Sequence, residues 1–246
     1  MKRTGHALVI LGLTILTQLG GLAWGLALFT RWRWRAFPLI YLAIWVVAQL
    51  LAPLAGRQPL PCTGAPLRMQ SIFYCAALRN FAVPELADLA HDAAARVADK
   101  HPGTITLALD GGFPIPGLPM LPHLSHADGR KLDFALFYKN STGDYLPGKT
   151  RAPLGYFAFE TLDHPQCPAA FPTLRWDFRW MQAIYPDRPI DDRRTKALGQ
   201  ALLDDPRLGK MLLEPALAER LGLADPKLRF QGCRAARHDD HFHVQL

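Results

Sequence analysis

No Asp or Glu occurs before position 60 of this 246-residue chain. The net charge of +7 therefore has an uneven source. Lys2, Arg3, Arg31, Arg33, Arg35 and Arg57 are six of the 28 basic residues, which leaves 22 against 21 acidic residues from position 60 onward. The later region is nearly neutral. A nucleic-acid binder needs a positive field on its folded domain, so that class is excluded. The sequence also lacks any Cys-x-x-Cys pair, which argues against a structural zinc knuckle. Internal repeats and low-complexity segments are missing too, which excludes solenoid and array architectures.

Charge of either sign is absent from Ala7 to Phe29 and again from Phe37 to Leu54. The first run is long enough to cross a bilayer and the second is near the lower limit. Between them lies Arg31-Trp32-Arg33-Trp34-Arg35, the mixture of Trp and Arg expected at a lipid–water boundary. The expectation is a two-helix transmembrane hairpin over residues 1–55 with membrane lipid as its partner. The rival is a cleaved signal peptide followed by one anchor. Three Arg in the short loop favour a cytoplasmic loop, with the remainder of the chain outside; Lys2 and Arg3 pull the other way. Cys62, Cys75, Cys167 and Cys233 all follow the apolar runs, and two disulfides would suit an oxidising periplasm. Four buried thiols are the alternative.

Residues 56–66 have the Pro and Gly content of a linker. The globular domain then covers 67–246. Leu86, Leu89, Ala93 and Val97 recur at helical spacing behind Pro84, giving a helix from Pro84 to Lys100. Asp191–Leu203 and Pro215–Leu221 read as helices, the latter stopped by Gly222. Arg175–Ile184 is aromatic and reads as helical. Strands are expected at Thr104–Leu109, Leu132–Tyr138, Gly155–Glu160, Leu228–Gln231 and His241–Leu246. The order has no βαβ rhythm. It predicts an α+β domain with a small, mainly antiparallel sheet and flanking helices.

Five of the nine His fall into two tight clusters. The second is His238-Asp239-Asp240-His241-Phe242-His243-Val244-Gln245-Leu246. Alternate residues of a strand share a face. Phe242, Val244 and Leu246 would face the core, and His241 and His243 would point together into a cleft. Both can meet one metal, or one can bind while the other works beside it. In the first cluster, His123-Leu-Ser-His126-Ala-Asp-Gly129-Arg-Lys-Leu-Asp133, a turn residue and a strand residue can converge, with Gly129 making the turn tight. Two imidazoles and one carboxylate leave a fourth tetrahedral position open, as in catalytic zinc sites.

Ser125-His126-x-x-Gly129-x-x-x-Asp133 resembles the first motif of the LAS metallopeptidases, and Asp240-His241-Phe242-His243 resembles their second. The likeness covers residues 104–138 and 225–246 and is nearest to the penicillin-insensitive murein endopeptidases. His123 and His238, three residues before His126 and His241, recur in that group. The resemblance implies zinc on His126, Asp133 and His243, with His241 assisting catalysis. It leaves His238 as a second basic group or hydrogen-bond partner, and His123 as a contact to substrate or a second metal. Asp239 and Asp240 are candidates for orienting the imidazoles. The implied substrate is a peptide crosslink of peptidoglycan, and the implied setting is a bacterial inner membrane with the domain in the periplasm. No Glu lies between Pro226 and Leu246, where the carboxypeptidase branch carries its base, so a His would have to serve. The alternatives are a D-Ala-D-Ala carboxypeptidase, a non-catalytic peptidoglycan-binding or scaffold domain, and a structural zinc module. Trp176, Phe178 and Trp180 read mainly as core, Arg193-Arg194 as a solvated helix face, and Arg130 and Lys131 as candidate contacts to substrate carboxylates.

Overall fold

The computed structural model describes residues 3–121, 123–157, 167, 171–175 and 178–246. Three helices come first: α1 (Arg3–Thr17), α2 (Gly20–Ala27) and α3 (Arg33–Leu51). The first apolar run is thus two helices, not one. Gln18 breaks it with a left-handed backbone, φ +63°. Its amide is taken by the globule: Nε2 donates to Ile115 C=O at 2.7 Å, and Ile115 N–H donates to Oε1 at 3.1 Å. Behind the break α2 folds back on α1, and a Cβ at Gly21 would stand 2.0 Å from Thr14 Oγ1, so the close approach requires glycine there. The second run is continuous. α3 and the following 3-10 turn make one largely apolar segment of 23 residues, Arg33–Ala55, long enough to cross a membrane.

Residues 56–66 are fastened to the globule instead of spacing it. β1 (Gln58–Pro59) pairs antiparallel with β3 (Phe81–Ala82). Cys62 is bridged to Cys75, and Cys167 to Cys233. The two disulfides expected from the even cysteine number are therefore present.

The globule is α+β. A six-stranded sheet contains β2 (Leu67–Met69), β4 (Thr106–Ala108), β5 (Lys131–Ala135), β8 (His241–Gln245), β6 (Lys210–Leu212) and β7 (Leu228–Arg229), in that spatial order. The central pairings β4–β5, β5–β8 and β8–β6 are antiparallel. The two outer pairings, β2–β4 and β6–β7, are parallel. Each needs a helical crossover. α5 (Pro84–Lys100) supplies one and α7 (Pro215–Leu221) the other. The sequence reading missed this because strands of two or three residues leave too little alternation to see.

α5 forms where its period predicts. Pro84 sits in its first turn, and Leu86, Leu89, Ala93 and Val97 are all buried. Asp191 caps α6 (Asp192–Leu203) through its side chain, which accepts from Arg194 N–H at 3.2 Å. α5 packs on α6, and α6 lies against Phe242 on one face of the sheet. Leu132, Phe134, Phe242 and Val244 fill the core on that face. Their neighbours Asp133, His241 and His243 consequently project from the other.

Two sequence expectations differ. Gly155–Phe157 is not a strand: Gly155 has φ +81° and Phe157 φ +65°, and 158–160 lie outside the described residues. Arg179–Ile184 is a 3-10 helix; Trp176 lies outside the described residues, and Trp180 is exposed where core was expected.

Candidate metal centre

The site is built on the pairing of β5 with β8. Asp133 stands directly opposite His243, and Ala135 opposite His241. Side chains of such a pair share a face, so one carboxylate and two imidazoles meet without help from any loop. His126 arrives from a 3-10 turn, Leu124–Asp128, that ends at Gly129 with φ +70°. Arg57, from the segment after α3, fixes this turn by donating to the carbonyls of Ala127, at 3.0 Å, and of Asp128. A Cβ at Gly129 would collide with that guanidinium.

Three donor atoms converge. His126 Nε2 is 3.3 Å from His243 Nδ1 and 3.7 Å from Asp133 Oδ1. His243 Nδ1 and Asp133 Oδ1 are 2.7 Å apart. Ligand atoms of a tetrahedral zinc, with bonds of about 2.0–2.1 Å, stand about 3.4 Å from one another. Two of the three spacings match that. The third is a hydrogen-bond distance, as expected while His243 Nδ1 carries a proton. His126 Nδ1 donates to Gly111 C=O at 2.8 Å, which leaves the lone pair on Nε2, toward the other two donors. The Gln245 amide nitrogen is 2.9 Å from His243 Nε2 and donates to it while the ring's proton sits on Nδ1.

Asp133 is completely buried and has two further neighbours. Tyr156 O–H donates to its Oδ2 at 2.6 Å, and His123 Nδ1 is 3.4 Å from the same oxygen. The Tyr156 oxygen in turn accepts from Asp110 N–H at 3.1 Å. Burial opposes the Asp133 anion, but His126, His241, His243 and His123 outweigh it and hold its pKa well below the usual value. Burial, then Asp133 and Asp110, push the Tyr156 hydroxyl well above its ordinary value, so it remains a donor. His126, His243 and His123 are all lowered, first by burial. Neutral imidazole is the form that binds metal.

His241 is held differently. Its Nδ1 is 2.5 Å from Asp240 Oδ1, and Asp240 Oδ2 accepts from Phe157 N–H at 2.5 Å. The backbone of Phe157 is left-handed there, a local strain of the sort kept at functional sites. Pinned this way, His241 turns Nε2 inward, buried and without a hydrogen-bond partner among the described residues, 3.9 Å from Asp133 Oδ1. Burial lowers its pKa, yet Asp133 and Asp240 override that and carry it up to about 9.

The remaining expected residues fall as follows. His238 is buried with its ring 5.1 Å from His241 and 5.4 Å from His243, and burial followed by those two rings takes its pKa down to about 2. His123 lies between Asp110 at 3.5 Å and Asp133. Asp239 does not orient an imidazole: its carboxylate takes the Arg237 guanidinium, and burial raises its pKa to about 7. Asp240 does. Arg130 and Lys131 pair with Glu85 and Asp128, not with the site. Residue types alone thus form two groups whose ligand atoms lie within 4.8 Å: His238, His241 and His243, and His123, His126 and Asp133. The set named from the motifs straddles both.

Sequence reasoning missed Tyr156, the Arg79–Asp110 ion pair at 2.5 Å behind His123, and the Arg57 clamp. It also missed Gln245, although strand alternation puts that residue on the His243 face. A cleft of about 310 Å³ opens over the site, floored by Asp110, His123, Asp240 and His241. Its walls are apolar, and among them are Phe73, Leu121, Leu154 and Leu16 of α1. No protein-family model matches this chain, and no curated protein matches its sequence.

Proposed function

We infer that this chain is a membrane-anchored, zinc-dependent peptidase that hydrolyses peptide crosslinks of peptidoglycan, with zinc on His126, Asp133 and His243. The observation that carries the reading is the convergence of those three donors, all within 3.7 Å of one another, beside a buried imidazole nitrogen that has no hydrogen-bond partner among the described residues. The donor set, two neutral imidazoles and one carboxylate, suits zinc and leaves a coordination position for a non-protein ligand. A zinc ion bound there supplies a water with pKa near 7 and polarises a carbonyl.

The chain's own residues do the remainder. Asp240 holds His241 with Nε2 facing the cleft. His241 Nε2 takes the nucleophile's proton and delivers it to the leaving amine. At neutral pH the carboxylates of Asp133 and Asp240 keep His241 protonated; with Asp133 engaged by a metal that pull would weaken, and His241 Nε2 would be able to act as a base. Tyr156 occupies Asp133 Oδ2, which leaves Oδ1 for the metal. The apolar walls exclude water from the reacting groups.

The peptidoglycan substrate and the endopeptidase branch rest on the likeness of the two motifs to LAS peptidases. The missing Glu before His243 supports a His base. The membrane anchor and the periplasmic orientation rest on the one long apolar helical segment, Arg33–Ala55, the Arg-rich loop before it and the two disulfides.

The test is a digest of crosslinked muropeptides by the full chain in detergent, with zinc, read by mass spectrometry beside His243→Ala. Zinc-dependent loss of crosslinked dimers by the wild type alone supports the proposal. Release of only a terminal D-alanine moves it to carboxypeptidase. No turnover by a folded, zinc-loaded chain refutes it in favour of a binding or scaffold role.

A further inference from the structure

The N-terminal helices do not hold the globule on a stalk. Tyr41 O–H donates to Ala76 C=O at 2.6 Å, and Trp45 Nε1–H donates to Cys75 C=O at 2.8 Å. Ala48 and Ala52 of the same helix pack with Leu78 and Phe81 of the globule. Ala76 ends a short helix, α4 (Ile72–Ala76), next to the cleft wall residue Phe73. At about 1.5 Å per residue, Tyr41 stands about 20 Å along the helix from Ala55, against a hydrocarbon thickness of about 30 Å. The globule is therefore tied to the middle of the Arg33–Ala55 segment and not only to its end.

The surface beside these ties is apolar. Ile72 is 69% exposed, Ile115 48%, Leu121 45% and Leu154 41%. Leu121 and Leu154 edge the cleft together with Leu16 of α1. Ile115 receives Gln18 and borders a second apolar groove, of about 630 Å³, with Leu19 before α2, Leu22 of α2, and Val47 and Leu51 of α3. The apolar rim is thus continuous with helices whose own outer faces are apolar and exposed. Exposed apolar area of this kind needs a cover. The same medium that covers α3 reaches it.

We propose that the cleft edge formed by Leu121 and Leu154, together with the exposed Ile72 and Ile115, is immersed in the lipid bilayer, so that the site opens at the lipid–water boundary. This rests on the membrane anchoring read above. It restricts substrates to those within reach of the membrane surface, whatever bond is cleaved.

The test needs no turnover. Leu121→Cys, Leu154→Cys, Leu50→Cys and Ala95→Cys are each labelled with an environment-sensitive fluorophore on the full chain in lipid nanodiscs. Leu50 is an exposed residue of α3, and Ala95 is exposed on α5, which packs with α6 on the opposite side of the sheet from the donors. Nitroxide-bearing lipid is expected to quench the labels at 121 and 154 as strongly as at 50, and aqueous iodide only the label at 95. Labels at 121 and 154 that follow 95 while 50 responds to lipid overturn the proposal and leave the anchor intact. No lipid quenching at 50 removes the anchor and the proposal together. Zinc uptake, measured separately, bears on the metal centre and not on this surface.

Discussion

Tyr156→Phe removes one oxygen and leaves the ring, so it isolates a single hydrogen bond. That hydroxyl donates to Asp133 Oδ2 at 2.6 Å and accepts from Asp110 N–H at 3.1 Å, in a fully buried position. A hydrogen bond to a charged group contributes about 1.5–3 kcal/mol. Its loss leaves Oδ2 without that donor, lets the carboxylate rotate and raises its proton affinity. Zinc then competes with a proton and with a second carboxylate orientation. Removing such an outer partner lowers metal affinity about 10- to 100-fold, which corresponds to about 1.4–2.7 kcal/mol and agrees with the hydrogen-bond figure. The assay is zinc competition against a chromophoric chelator on the full chain, with circular dichroism to confirm folding. A folded Tyr156→Phe chain that binds zinc as tightly as the wild type refutes the role given to Tyr156 and the orientation given to Asp133.

Four further outcomes follow from the same geometry. His126→Ala and His243→Ala should lose zinc and turnover together, whereas His241→Ala should keep zinc and lose turnover; normal turnover without His241 removes it from the mechanism. Asp240→Asn should retain zinc but lower kcat, since Nδ1 of His241 loses its anionic partner at 2.5 Å; an unchanged kcat dismisses Asp240. Arg57→Ala should loosen the turn that carries His126 and weaken zinc binding in chelator competition, with a stability loss of about 1–3 kcal/mol in urea denaturation; equal affinity would show that the clamp does not serve the metal. Asp205 has its pKa lowered to about 2, chiefly by hydrogen bonding to Arg207. Being lower in the folded chain, it adds stability at neutral pH that is lost as pH falls from about 4 to about 2. The contribution is no more than about 2 kcal/mol. Asp205→Asn should flatten that part of the pH–stability curve measured by urea denaturation.

Much of the centre was legible because a strand encodes its faces by alternation. His241, Phe242, His243 and Val244 divide between cleft and core in the order the period of two requires. The turn before Asp133 was legible through Gly129. What no local pattern reveals is which strands pair. The meeting of Asp133 with His243 spans 110 positions and depends on the β5–β8 register. Tyr156 had no signal at all: its segment was read as a strand, whereas Gly155 and Phe157 both have left-handed backbones that aim the ring at Asp133. The N-terminal region misled in a different way. Apolar composition gave two uncharged runs of membrane-spanning length, of which one is a single long helix, Arg33–Ala55; the break at Gln18 in the other is set by two hydrogen bonds to Ile115, a partner 97 positions away.

The central claim is that the metal is held by His126, Asp133 and His243. X-ray absorption of the zinc-loaded full chain, with Asp133→Asn and His238→Ala beside it, tests this most directly. The account predicts two imidazoles with oxygen ligands, a site lost in Asp133→Asn and unchanged in His238→Ala. Three imidazoles that survive Asp133→Asn and vanish in His238→Ala would place the metal on His238, His241 and His243 and contradict it.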